Sequence, residues 1–244
     1  MESAALLEAV ERENRALARS AAGNLDRLVP GCPGWDVGQL VRHLGAVHRW
    51  AASIVRGDAG SRPHRDNEPK EPADAALVAW FEEGLGELLE TLRAADPAKP
   101  CWTWTGPQPP AWWRRRQALE AAIHRVDVEQ AAGSARPSVE GELAVTGVDE
   151  MIEIFLPYEK LPEELGPAGR TLHLHATDRE GEWLLRLRAG GIDAERGHAK
   201  GDAALRGTAA DLFLFTWKRL DAGALELFGD AEVPALYTRH AGVS

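Results

Sequence analysis

The hydrophobic period of this sequence changes once along the chain, and this change limits the possible folds more than any other feature. Through the first half, apolar residues recur at intervals of three and four, which is typical of amphipathic helices. After about residue 170, apolar and polar residues alternate, which is typical of strands with one buried face. A helical half followed by a half with strands predicts an α+β fold in two domains, and we place their boundary between residues 1–137 and 138–244.

Four helices are predicted in the first domain. They cover approximately residues 4–22, 35–55, 73–95 and 111–132. The second helix has a strong start signal, because Asp36 can cap it and Gln39 stands three residues later, as in a capping box. A polar loop with prolines is expected over residues 57–72.

The second domain is predicted to contain both helices and strands. A helix is expected over residues 143–156, and strands over residues 171–177 and 183–188 joined by a hairpin turn at 178–181. Two further short strands are expected near 191–196 and 203–206. Thr208 then caps a helix, with Asp211 at the capping-box position. Its expected inner face consists of Leu212, Phe215 and Leu220.

The fourth helix carries the residues that most strongly suggest chemistry. Glu120 and His124 are four positions apart and therefore adjacent on one face, and Asp127 returns to the same line. This line falls within the sector that we expect to face the protein interior. Charged residues mark the side that we expect to face solvent: Arg114, Arg125 and Glu129.

A carboxylate in the interior needs compensation, because burying an unpaired ion is costly. A divalent metal ion compensates it directly, and zinc accepts both imidazole nitrogen and carboxylate oxygen. An ion pair between Glu120 and His124, joined by Arg116, explains the same residues without a metal. The residues of this helix alone leave both interpretations open.

A third metal ligand would have to come from another helix, and the second helix offers His43 and His48. These two histidines are five positions apart and cannot both face one site. They lie at opposite edges of the apolar face, so helical spacing does not choose between them. A histidine at such an edge is also commonly a structural residue.

Two other groups of residues are weaker candidates for a site. His173 and His175 form an HxH pair on one face of a predicted strand and could hold a second metal. Because Leu172, Leu174 and Ala176 occupy the other face, we expect the pair to point to solvent. Four tryptophans could wall a pocket above the helices or simply pack in the core: Trp102, Trp104, Trp112 and Trp113.

Composition excludes several classes of function. The net charge of −10 disfavours binding to nucleic acid or to anionic membranes, because both need a basic surface. No window approaches the roughly 18 apolar residues of a membrane span, and the N-terminus lacks the pattern of a signal peptide. Cys32 and Cys101 form no CxxC motif and are expected to be small buried residues in a reducing cytoplasm.

Two segments resemble the signatures of a known family. Residues 29–44, VPGCPGWDVGQLVRHL, resemble the N-terminal signature of the mycothiol-dependent maleylpyruvate isomerase family, an actinobacterial branch of the DinB-like metal-binding bundles. Residues 120–127, EAAIHRVD, are similar to its second signature. The helix around residues 147–151 and the α/β tail are similar to its C-terminal domain.

The resemblance implies a DinB-like four-helix bundle followed by a smaller, sterol-carrier-like α/β domain. It implies zinc, or another divalent metal, held by His43, Glu120 and His124. It also implies mycothiol as a thiol cosubstrate and an electrophilic small molecule as its partner, for isomerisation or S-transfer. A zinc-water hydrolase and a non-enzymatic metal- or ligand-binding protein are the alternatives. The family's catalytic basic residue has no assigned position in this sequence.

Overall fold

The computed structural model describes residues 1–57, 59, 72–134 and 137–241. The chain divides into two compact units, Met1–Pro137 and Ser138–Ser244. The first contains helices and the second a sheet with helices, so the predicted α+β fold class is confirmed. Within the described ranges, every helix is too short or too polar to cross a membrane. Most of the loop predicted over residues 57–72 lies outside the described residues.

Four long helices form the first unit, close to their predicted bounds. They are α1 (Ser3–Ala21), α2 (Val37–Arg56), α3 (Asp74–Ala94) and α4 (Pro110–Ala131). Helix α1 packs along α4, and α2 packs along α3. Their apolar stripes meet in a core that includes Leu17, Leu40, Leu77 and Phe81.

The start of α2 is held by the capping box that the sequence predicts. The Asp36 side chain accepts a hydrogen bond from the Gln39 amide nitrogen at 2.7 Å, and the Gln39 side chain accepts one from the Asp36 nitrogen at 2.9 Å. These bonds satisfy two backbone groups that a helix start would otherwise leave without partners. The cap therefore sets where α2 begins.

The pair α2 and α3 approach each other closely at a glycine. A Cβ atom on Gly45 would lie 2.1 Å from the Trp80 ring. The Trp80 indole therefore lies directly on the backbone of α2. The Arg49 guanidinium also stacks 4.1 Å from the Trp80 ring centroid.

The prediction that Arg125 on α4 faces solvent is wrong. This residue is only 7% exposed, and its Nε donates to Glu13 on α1 at 2.6 Å. Its Nη1 also donates to Glu129 at 2.6 Å. The charge of Arg125 is therefore neutralised by Glu13 on α1 and Glu129 on α4. Sequence periodicity misses this, because it does not show which charges are paired across two helices.

The second unit is built on a five-stranded sheet of order β3-β2-β1-β4-β5. The strands are β1 (Arg170–Ala176), β2 (Glu182–Arg188), β3 (Gly191–Arg196), β4 (Ala203–Gly207) and β5 (Glu226–Gly229). Strands β1 and β2 form the predicted antiparallel hairpin, whereas β1 and β4 run parallel. One face of β1 and β2 is closed by apolar residues, among them Leu172, Leu174 and Leu185.

Helices cover the sheet of the second unit, and their details differ from prediction. Helix α5 (Gly141–Glu150) continues through a π-helical turn, Met151–Phe155, into a 3-10 turn. Helix α6 (Ala209–Thr216) has the predicted Thr208 cap. It ends before Leu220, so that residue does not belong to its inner face. Helix α7 (Glu232–His240) and β5 were not predicted, because both are short and β5 is exposed throughout.

Candidate metal centre

The three residues that the resemblance selects as metal ligands lie together in the structure. Helix α2 supplies His43, and α4 supplies Glu120 and His124 one turn apart. Glu120 Oε1 lies 3.3 Å from His43 Nε2 and 3.5 Å from His124 Nε2. The three ligand atoms lie within 4.8 Å of one another. The ring centroids of the two histidines are 5.6 Å apart.

His48, the alternative to His43 on α2, has a different environment. It is 1% exposed, and its Nε2 lies 3.0 Å from the side-chain oxygen of Asn14 on α1. Burial lowers its pKa from 6.5 to about 3, so the ring is neutral near pH 7. Its ring packs 4.9 Å from that of Phe81. His48 is therefore part of the bundle core.

The two oxygens of Glu120 have different neighbours. Oε2 accepts a hydrogen bond from Arg116 Nη2 at 2.6 Å, while Oε1 faces the two histidines. Burial alone would raise the Glu120 pKa, but Arg116 and hydrogen bonds from both histidines hold it well below its usual value. The ion pair considered from sequence is thus present, and it leaves Oε1 directed at the imidazoles.

Asp127 fixes the orientation of the His124 ring. Its side chain is completely buried, and Oδ2 lies 2.9 Å from His124 Nδ1. An ionised carboxylate only accepts hydrogen bonds, so Nδ1 carries a proton and donates it. The other ring nitrogen, Nε2, then faces Glu120. Such a carboxylate behind a histidine is the usual arrangement around protein-bound zinc.

Cys32 is the residue near this site whose position the sequence did not predict. It was expected to be a small buried residue, yet it is only half-buried, and its Sγ lies 3.5 Å from Asp127 Oδ2. Cys101, by contrast, is 1% exposed, as expected. The CPGWD segment before α2 holds Cys32 opposite α4. No spacing rule links residue 32 to residue 127, so the sequence alone gave no signal.

The protonation of His124 reflects the two acids around it. Burial alone would lower the pKa of His124, but hydrogen bonds with Asp127, Cys32 and Glu120 raise it well above 6.5. Without a metal, a proton on the imidazole therefore balances the carboxylates. A divalent cation would supply the same balance at the same point, which fits the chemistry of the donor set.

The site is reachable from solvent. The side chains of His43, Glu120 and His124 are 31%, 19% and 12% exposed. The Trp35 ring packs edge-on against His43 at 5.3 Å. Two imidazoles and one carboxylate supply three of the four positions that zinc prefers, and an open fourth position is characteristic of catalytic zinc.

The four tryptophans pack mainly against one another. The Trp112 and Trp113 ring centroids are 5.0 Å apart, and Trp104 lies 4.7 Å from Trp112. Trp113 is fully buried and donates its indole N–H to the Trp102 carbonyl at 2.9 Å. Of the two interpretations, core and loop packing describes these residues.

The expectation that His173 and His175 point to solvent is wrong for His173, which is 6% exposed. Its Nε2 lies 2.9 Å from Glu182 Oε2, and His175 Nδ1 lies 3.4 Å from the same oxygen. The histidines do share one face of β1, as their spacing predicts. That face is more enclosed than the alternation of residues indicated.

Two family models match most of the sequence. The model for the N-terminal domain of mycothiol maleylpyruvate isomerase matches residues 6–129. The model for the C-terminal domain of the same family matches residues 142–236. Among curated proteins, no sequence gives a significant match.

Solved structures of the same fold include the mycothiol-dependent maleylpyruvate isomerase. Its crystal structure superposes with a TM-score of 0.68 at 14% identity and covers 93% of each chain. The crystal structure of a histidine-to-alanine mutant gives a TM-score of 0.67 at 12% identity, again over 93% of each chain. These TM-scores show a shared fold.

Proposed function

This chain belongs to the mycothiol maleylpyruvate isomerase family, and on that premise we propose that it is a metal-dependent, thiol-using enzyme. In this proposal His43, Glu120 and His124 hold one divalent ion, with zinc as the favoured metal. The thiol is mycothiol, and the second substrate is an electrophilic small molecule such as maleylpyruvate. The reaction is isomerisation or S-transfer. The cytoplasmic location and the absence of a nucleic-acid partner stay predictions from the sequence.

The observation that carries the proposal is the position of Glu120 Oε1 between two histidine nitrogens. Tetrahedral zinc with bonds of about 2.0–2.1 Å separates its ligand atoms by roughly 3.4 Å. The distances from Glu120 Oε1 to His43 Nε2 and His124 Nε2 are 3.3 and 3.5 Å. Both distances from Glu120 Oε1 therefore match the ligand spacing of a zinc site.

Neighbouring residues hold this arrangement in place. Arg116 restrains one oxygen of Glu120 and leaves the other directed at the histidines. Asp127 holds the proton on His124 Nδ1, so that the lone pair of Nε2 is available to a cation. Since α2 and α4 pack in one bundle, the ligands lie on rigid helices rather than on loops.

Zinc bound to these residues would lower the pKa of a thiol and so supply a thiolate nucleophile at neutral pH. The residues around the site would admit the thiol and balance the charge of the metal. Partial exposure of His43 leaves a path for the thiol from solvent. The negative charges of Glu120 and Asp127 would offset the charge of a divalent cation.

Metal content tests the first part of the proposal. Untagged protein, purified without chelator or metal-affinity resin, is analysed by mass spectrometry together with Glu120→Ala and His124→Ala. We expect each variant to contain one zinc equivalent less than the wild type. Glu82→Ala, at an exposed position on α3, is the matched control. Equal metal content in all four proteins would refute this site.

Thiol dependence tests the second part. Wild-type protein and His124→Ala are assayed with maleylpyruvate and with model electrophiles, each with and without mycothiol. We expect turnover only by the wild type and only with the thiol. Turnover without thiol would instead support a zinc-water hydrolase. A metal-loaded protein that binds no thiol and converts no electrophile would support a binding protein.

A further inference from the structure

A second group of ligand-type side chains lies in the C-terminal unit. It consists of His173 and His175 on β1, Glu182 at the start of β2 and His198 directly after β3. All belong to residues 138–244, and none is a residue of the candidate site on α2 and α4. This group is therefore separate from the candidate metal centre.

The sheet brings these residues together through three neighbouring strands. His175 and Glu182 are directly paired in the β1–β2 hairpin and share one face with His173. After β3, the Gly197 nitrogen donates to the Glu182 carbonyl at 2.9 Å. This bond extends the pairing of β2 and β3 by one residue. The next side chain, His198, consequently lies beside Glu182.

One carboxylate oxygen is the common neighbour of all three imidazoles. Glu182 Oε2 lies 2.6 Å from His198 Nδ1, 2.9 Å from His173 Nε2 and 3.4 Å from His175 Nδ1. One ligand atom from each residue lies within 4.8 Å of the others. The His173 ring centroid is 6.0 Å from that of His175 and 5.5 Å from that of His198.

The buried histidine shows that hydrogen bonds among these groups are incomplete. His173 Nε2 is inaccessible to solvent and lacks a partner with acceptable hydrogen-bond geometry, although Glu182 Oε2 is near. Buried polar nitrogen atoms are normally satisfied, so this atom requires an explanation.

We propose that His173, His175, Glu182 and His198 form a second metal site for a divalent transition ion of the zinc type. Three imidazoles and one carboxylate match the ligand preference of zinc and, with other geometry, of copper(II) or nickel(II). Four protein ligands fill a tetrahedral site, so this metal stabilises the sheet and does not react with substrate.

A purely ionic network accounts for the same residues less well. One carboxylate can balance one imidazolium, yet three imidazoles surround Glu182. Only two of the rings reach solvent appreciably: the His175 side chain is 30% exposed and that of His198 is 80% exposed. Because His198 is exposed, an ion can reach the cluster from solvent.

Metal titration of the full-length protein tests this site. The untagged His124→Ala variant, which lacks a ligand of the first site, is titrated with zinc and, for its visible spectrum, with cobalt(II). We expect one equivalent to bind, with the intense absorption of tetrahedral cobalt. Adding His198→Gln or Glu182→Gln should weaken binding by more than the about 10–100-fold that the loss of a second-shell partner costs.

Two controls keep the result interpretable. His240→Gln, at the end of α7, removes a histidine of the same unit outside the cluster and should leave binding unchanged. Because His198 is 80% exposed, its substitution should not disturb folding. Hydrogen exchange provides a second readout: zinc should protect the amides of β1 and β2 in the His124→Ala protein, and not when His198→Gln is added.

The outcomes separate this site from the proposed function. Both sites would be supported if the wild type binds two equivalents of zinc, each single variant, His124→Ala or His198→Gln, binds one, and the double variant binds none. If His198→Gln loses one equivalent of zinc and His124→Ala loses none, the second site is supported and the first is refuted. No uptake by His124→Ala, or uptake that His198→Gln and Glu182→Gln leave unchanged, would overturn the second site.

Discussion

Replacing Asp127 should weaken metal binding, although this residue is not proposed as a ligand. Its Oδ2 accepts a hydrogen bond from His124 Nδ1 at 2.9 Å, and its side chain is completely buried. The negative charge makes the imidazole a stronger donor and keeps Nε2 directed at the site. Asp127→Asn retains the size and can still accept the hydrogen bond, but it removes the charge. Asp127→Ala removes both.

The expected loss can be estimated from this contact. Second-shell substitutions of this kind typically cost about 10–100-fold in metal affinity, or about 1.4–2.7 kcal/mol. We expect Asp127→Asn near the lower value and Asp127→Ala near the upper one. Asp127→Ala also leaves the His124 Nδ1 proton in a buried environment without this acceptor, which should lower the free energy of unfolding by about 1–3 kcal/mol.

Zinc affinity is measured by competition with a chromophoric chelator, and folding by urea denaturation. The matched control is Glu13→Gln, which alters another buried carboxylate of the bundle, 2.6 Å from Arg125. It should lower stability without changing zinc affinity. If both Asp127 variants fold and bind zinc as tightly as the wild type, Asp127 does not support a metal ligand. An equal loss of affinity in Glu13→Gln would show a general effect of instability.

Three further predictions concern stability. Burial lowers the pKa of His48 to about 3. Between pH 6.5 and about 3 the unfolded chain therefore binds a proton that the folded chain does not, and the free energy of unfolding should fall by about 1.4 kcal/mol per pH unit as pH decreases. Urea denaturation at pH 7 and pH 5 should show a shallower pH dependence for His48→Gln than for the wild type, and equal pH dependence would contradict this. Gly45→Ala should lower stability by about 1–3 kcal/mol because its Cβ would overlap the Trp80 ring. Gly86→Ala on α3, with open space around it, should raise stability by up to about 1 kcal/mol. Equal changes of Tm in the two variants would contradict this difference in packing. Thr208→Ala removes the α6 cap and should cost about 1 kcal/mol, with Thr208→Ser as the conservative control that should retain most of it.

Much of the fold followed from local patterns in the sequence. The four helices of the first unit, the β1–β2 hairpin and the caps at Asp36 and Thr208 all depend on residues close together in the chain. Strand β5 and helix α7 were missed because their short segments carry little periodic signal. The face of Arg125 was predicted wrongly, since its charge is neutralised by Glu13 on a different helix.

The sequence by itself determined which residue types could form a site, and on α4 it determined that Glu120 and His124 share a face. Helical spacing did not decide whether His43 or His48 is the third ligand, and only the resemblance to the family selected His43. The tertiary structure decided what surrounds each histidine: Asn14 for His48, and Glu120 for His43. It also decided that Glu182 and His198 gather around the HxH pair. Contacts of this kind join residues far apart in the chain, and their geometry depends on how whole helices and strands pack, which no local pattern records.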